Sequence, residues 1–146
     1  MSVPHPGGDP NANRYQLKRD VFDRVPEVSS VEYVPNRAEA TTLEAAFDPT
    51  RLDVEAGPES PTLTVAWYRA TPGDWFRIDY GDPNSGFHAG WQQDEDYPGL
   101  GPAHFQYTSD GETDRRGLTF QRDTPSLILW EVVEHLLEDV LPAHYD

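Results

Sequence analysis

The sequence predicts an α+β domain: an antiparallel β meander of about five strands covered by a C-terminal amphipathic helix, with a short N-terminal helix ahead of the sheet. Three features carry this. Short segments between residues 62 and 108 alternate apolar and polar positions and are parted by Gly, Pro, Asp and Asn. Residues 125–141 bear one apolar stripe at helical spacing. A chain of 146 residues suffices for one core.

Residues 1–12 hold three prolines and two glycines, so nothing periodic can be buried and a disordered tail is expected. The domain is expected to run over residues 13–146. Leu17, Val21 and Val25 recur at i, i+4, i+8 with Phe22 beside them, which predicts a short helix capped by Asn13 and closed by Pro26. Residues 28–34 have strand composition and stop at Pro35. Residues 36–47 admit a helix capped by Asn36, or a strand turning Leu43, Ala45 and Phe47 inward; the strand is favoured. Residues 48–61, with three prolines and one glycine, form a long connection.

The meander follows. Strand 62–71 puts Leu63, Val65 and Trp67 on one face. Pro72-Gly73-Asp74 turns the chain. Strand 75–80 turns Phe76, Ile78 and Tyr80 inward, and strand 87–93 does the same with Phe87, Ala89 and Trp91. An acidic, glycine-rich loop leads to strand 104–108, which carries Phe105 and Tyr107. Residues 109–117 read as a polar connection and 118–121 as one more edge strand. In the C-terminal helix Thr124 is the cap and Pro125 takes the first position, where its missing N–H costs nothing. Leu129, Val132, Val133, Leu136, Leu137, Val140 and Leu141 make the stripe, and Pro142 ends the helix. Trp67, Trp91 and Trp130 are expected in the core and Trp75 at the surface.

Composition narrows the chemistry. The 26 acidic and 11 basic residues leave a formal charge of −15, and the only Lys is Lys18. Acid excess with Arg kept and Lys nearly absent is what a high-salt cytosol selects: carboxylates hold water and solvent cations non-specifically, and salt penalises the apolar Lys stem. At 1 M salt the Debye length is ~3 Å, so the self-repulsion of such a surface is screened. The charge is then a statement about salt more than about a partner. With no Cys, a disulfide scaffold, a thiolate metal site and a cysteine nucleophile are excluded. No apolar run has the length of a membrane span and no signal peptide opens the chain, so a cytoplasmic protein without a membrane partner is expected.

No phosphate-binding glycine loop, nucleophile elbow or zinc-protease helix is present, and no cofactor is expected. Asp94 to Gly99 starts like a calcium loop, but Pro98 at position 5 and Phe105 at position 12 break the pattern. The richest stretch runs from His88 to Gln106, with two His and three acids between neighbouring strands. If those strands pair, outward-facing His88 and His104 are expected side by side. Two imidazoles near a carboxylate such as Asp94 suit general acid–base chemistry or a divalent metal. Arg77, on the strand before and facing the same side as Asp79, adds a cation for phosphate. Imidazoles on an open sheet face also serve simply as solvated polar groups. Arg115 and Arg116 read either as phosphate contacts or as solvated loop residues, and His135 with Glu131 as an i, i+4 surface ion pair.

The segments Leu63-Thr64-Val65-Ala66-Trp67, Phe76-Arg77-Ile78-Asp79-Tyr80, Gly90-Trp91 with Asp94, and His104-Phe105-Gln106, followed by the C-terminal helix, resemble small haloarchaeal proteins of the TumE-like toxin group over residues 40–141. The resemblance implies a component of a toxin–antitoxin pair that acts on RNA, with an antitoxin protein as partner. It points to His88, His104, Asp94 and Arg77 as the catalytic set. Gln92 and Gln93 follow Trp91 where the group carries Asp, and Gln106 stands where it carries a second His. These departures support an alternative, a catalytically inactive interaction module that binds a partner protein through a sheet edge or aromatic surface.

Overall fold

The computed structural model describes residues 10–37, 40–52, 57–68, 74–94 and 98–145. Helix α1 spans Pro10–Phe22. It begins earlier than Asn13 because proline is tolerated in a first turn. The rest of the expected tail, residues 1–9, lies outside the described residues. The strands are β1 (Val28–Val34), β2 (Thr42–Phe47), β3 (Thr62–Tyr68), β4 (Trp75–Gly81), β5 (His88–Gln93), β6 (Ala103–Ser109) and β7 (Glu112–Gly117). They form a seven-stranded antiparallel sheet in which every strand pairs with its sequence neighbour.

The α+β meander is therefore as expected, but with seven strands rather than about five. Val28–Val34 and Thr42–Phe47 are both strands, so the helical alternative for residues 36–47 is excluded. The last strand is β7, not residues 118–121. Ser109 pairs with Glu112, leaving Asp110 and Gly111, both at positive φ, as a two-residue hairpin turn. Every residue of β7 is exposed, so it shows no apolar alternation. Its charges protect it as an edge strand.

One face of the sheet is apolar. Register aligns Tyr33, Leu43, Val65, Ile78, Trp91 and Phe105 across six strands. The same core contains Ile128, Leu129, Val132, Val133 and Leu136 of the C-terminal helix. That helix runs as α2 (Pro125–His135), a π-helical turn (Leu136–Val140) and α3 (Leu141–Tyr145). Pro142 does not end it. The wider π turn lies just before Pro142, where an unbroken α-helix would need the N–H that proline lacks. Thr124 has the extended backbone of a cap but makes no side-chain cap bond. Trp67 and Trp91 are buried, whereas Trp130 is only partly so.

In α1, Leu17 is 65% exposed, and Tyr15, Lys18, Val21 and Phe22 are buried instead. The inner stripe thus follows 15, 18 and 22, because Tyr15 has a polar task that Leu17 cannot perform. Its hydroxyl donates to the Thr41 carbonyl at 2.7 Å and accepts from the Trp67 N–H at 3.1 Å. It thereby stands in for a ladder rung just beyond the last β2–β3 pair, Leu43 with Val65. At the other end of the sheet, buried Asp82 accepts from Asn84 N–H (2.8 Å), Asn84 Nδ2 (2.9 Å), Ser85 Oγ (2.9 Å) and the Tyr145 hydroxyl. Tyr145 also meets Tyr80 Oη at 3.2 Å, which ties the helix C-terminus to the sheet.

Candidate functional site

Opposite the apolar face, the sheet presents a polar surface. Alternation places Arg77 and Asp79 of β4, His88, Gly90 and Gln92 of β5, His104 and Gln106 of β6, and Arg115 of β7 on it. Tyr68 and Trp75, paired across β3 and β4, are both exposed; this matches the expectation for Trp75.

Three of the four expected catalytic residues meet at Gln92. Its amide oxygen accepts from Arg77 Nη2, and its nitrogen donates to Asp94 Oδ2 and His104 Nε2, each at 3.3 Å. The neighbours dictate this orientation, since the reverse would set oxygen against two acceptors. His104 Nε2 is then the acceptor of the Gln92 amide. His104 is 1% exposed. One reason is the turn at Pro98–Leu100: it comes so close that a Cβ on Gly117, opposite His104, would lie 2.6 Å from the Leu100 carbonyl oxygen.

His88 does not join this cluster. Strands β5 and β6 do pair, but His104 lies opposite Gln92 and His88 opposite Thr108. Four residues of strand separate the two positions, about 14 Å at ~3.4 Å per residue. The expectation of side-by-side imidazoles is corrected by this register. An exposed His88 instead lines an open groove of about 390 Å³ with Arg77, Asp79 and Gln106. Gly90 makes room in it, because a Cβ there would lie 2.8 Å from Asp79 Oδ1. Asp79 Oδ2 is 3.9 Å from Arg77 Nε. Burial raises the Asp79 pKa above the ordinary carboxylate value, opposed by the charges of Arg77 and His88. Arg115 Nε donates to Gln106 Oε1 at 3.1 Å and extends the polar surface to the sheet edge.

Sequence reasoning assigned the wrong role to His135. It is half-buried, and its Nδ1 accepts the indole N–H of buried Trp91 at 2.9 Å. Glu131 is engaged elsewhere, accepting the backbone N–H groups of Gln121 (3.1 Å) and Arg122 (3.2 Å). The expected surface ion pair is therefore replaced by a link from helix to sheet. The apolar row offered one signal for it: a buried tryptophan needs an acceptor for its N–H.

Among the described residues no group of three or more His, Asp or Glu is placed to hold a metal ion, and no helix is long and apolar enough to cross a membrane. Glu95 and Asp96 of the acidic loop lie outside the described residues. Scans of protein-family models, curated proteins and solved structures return no match to the chain.

Proposed function

We propose that the chain is a cytoplasmic, TumE-like toxin component that acts on single-stranded RNA at the polar face of its sheet, with an antitoxin protein as partner. The supporting observation is the convergence of Arg77, Asp94 and His104 on Gln92, beside the groove of His88 and Asp79 and on a face that also exposes Tyr68 and Trp75. Aromatic side chains stack bases without sequence preference, and arginine binds phosphate. High salt would screen the −15 charge, leaving short-range contacts to decide binding.

In this reading His88 takes the proton of a ribose 2′-OH, whose oxygen bonds to phosphorus. The 5′-oxygen leaves and receives a proton from Asp79, which lines the same groove. The products are a 2′,3′-cyclic phosphate and a 5′-hydroxyl. Arg77 steadies the phosphate. Buried His104 is a positioning residue: with Gln92 it fixes Asp94 and Arg77, which replaces the proton-transfer role its exposure would have allowed.

The test is cleavage and binding of end-labelled single-stranded RNA in molar salt. His88→Ala should lose about 100-fold or more in cleavage rate, the usual share of a general base. Arg77→Ala should weaken both binding and cleavage, while exposed Leu17→Gln on α1 serves as the unaffected control. Equal rates for wild type and His88→Ala would overturn the catalytic assignment. The second reading, an inactive interaction module, is favoured by the burial of His104 and the exposure of Tyr68 and Trp75. It would be selected by a stable complex with a partner protein, lost in Trp75→Ala, from a chain that cleaves no RNA.

A further inference from the structure

The C-terminal helix does not cover all of the apolar face. Between it and the inner side of β6 and β7 lies a cleft of about 480 Å³. This is within the range of small-molecule sites. Phe105 and Tyr107 form one wall. Phe87, stacked on His144 with ring centres 3.7 Å apart, forms another. The Arg116 guanidinium lies 5.9 Å from the centres of both the Phe105 and Tyr107 rings. Its salt bridge to Asp114 is 3.5 Å long and both side chains are more than half exposed, so it competes weakly with a ligand.

His135 supplies a directional group. The Trp91 indole occupies Nδ1, so Nε2 carries the proton of the neutral ring. No described residue accepts from it. Burial holds the His135 pKa below the usual value, reinforced by Arg116 and opposed by Asp139 and Glu131, which keeps the ring a neutral donor at neutral pH. The π turn starts at the next residue, Leu136. Such turns inside helices concentrate at functional sites.

We propose that this cleft binds a small planar aromatic monocarboxylate, its ring between the aromatic walls and its carboxylate accepting from Arg116 and from His135 Nε2–H. Flat aromatic walls select a planar apolar body. The lone guanidinium selects an anion and favours the bidentate carboxylate. Asp139, which lines the same cleft, disfavours a dianion such as a phosphate monoester. The site lies on the opposite side of the sheet from the groove of His88 and stands whether or not RNA is cleaved there.

The probe is 2-naphthoate, titrated into the full chain in molar salt by calorimetry, with the tryptophan indole N–H and histidine ring signals followed by NMR. Saturable binding should shift Trp91 and His135. The neutral 2-naphthamide should bind at least about tenfold more weakly, as should naphthoate to Arg116→Met, because both remove the charged pair. Leu17→Gln should bind naphthoate like wild type. Absence of saturable binding, equal affinity for acid and amide, or naphthoate binding to Arg116→Met as tightly as to wild type would each overturn the assignment. The acid–amide comparison uses unmodified protein, so it holds even if the variant folds poorly.

Discussion

Replacing Gln92 by Leu removes three hydrogen bonds at nearly constant volume. Each is 3.3 Å long, so each lies at the weak end of the useful range. Arg77 is 59% exposed at its side chain and recovers its bond from water. Asp94 is half-buried and partly recovers. His104, at 1% exposure, does not, and Nε2 is left without its Gln92 donor. A hydrogen bond contributes about 0.5–1.5 kcal/mol net, and the buried one to His104 with two weaker ones sets the expected loss near ~2 kcal/mol. For a chain of this size that is a drop in Tm of roughly 6 °C, at about 3 °C per kcal/mol. Urea unfolding at fixed salt is the assay, with an unchanged m-value. In a His104→Leu background the same replacement should cost clearly less, since the buried bond between the two residues is already gone. A Gln92→Leu protein as stable as wild type, or additive costs in the double variant, would refute the role given to this network.

Tyr15→Phe leaves the Thr41 carbonyl and the Trp67 N–H without their bridge and should cost about 2–5 kcal/mol in urea unfolding; a loss under about 0.5 kcal/mol would show that strands β2 and β3 close up without it. The His135 pKa is depressed in the fold, so its contribution is complete above its unfolded value near 6.5 and is lost as pH falls through the folded value. Stability of the wild type should therefore fall as pH drops below about 6.5, and His135→Gln should flatten that slope. Asp82 feels burial, which raises its pKa, but the bonds from Tyr145, Asn84 and Ser85 outweigh it and hold the carboxylate below 3.8. That stability is present above 3.8 and is lost on further acidification, so Asp82→Asn should remove part of the steep acid limb seen by circular dichroism. With a formal charge of −15, the chain should show a cooperative fold in molar salt and lose it in dilute buffer; an unchanged transition in dilute buffer would refute a salt requirement.

Where one face of a strand is buried, the sequence announced it. Leu43, Ala45 and Phe47 marked β2, and Phe76, Ile78 and Tyr80 marked β4, because alternation records a core on one side. Strand β7 has no such record: Glu112 to Gly117 is exposed throughout, and only Asp110-Gly111 signalled its hairpin. The polar site was legible as residue types and not as geometry. Arg77, Asp94 and His104 come together through Gln92, a residue read only as a departure from a motif. His88 and His104 are parted by register, which belongs to the pairing of β5 with β6 and not to either strand alone. His135 was misplaced because helical spacing shows what lies four residues away along the helix, whereas its true partner, Trp91, is 44 residues distant.

The sequential strand order bears on how the chain folds as it is synthesised. Each strand can pair with the one made just before it, so the sheet needs only short closures and can assemble from the N-terminal side. Its apolar face, however, waits for the helix that follows all seven strands. Between Gly117 and Tyr145 synthesis takes roughly 1–6 s at ~5–20 residues per second. During that interval Trp91, Phe105 and Ile78 form a continuous sticky ribbon, and high salt strengthens its tendency to self-associate.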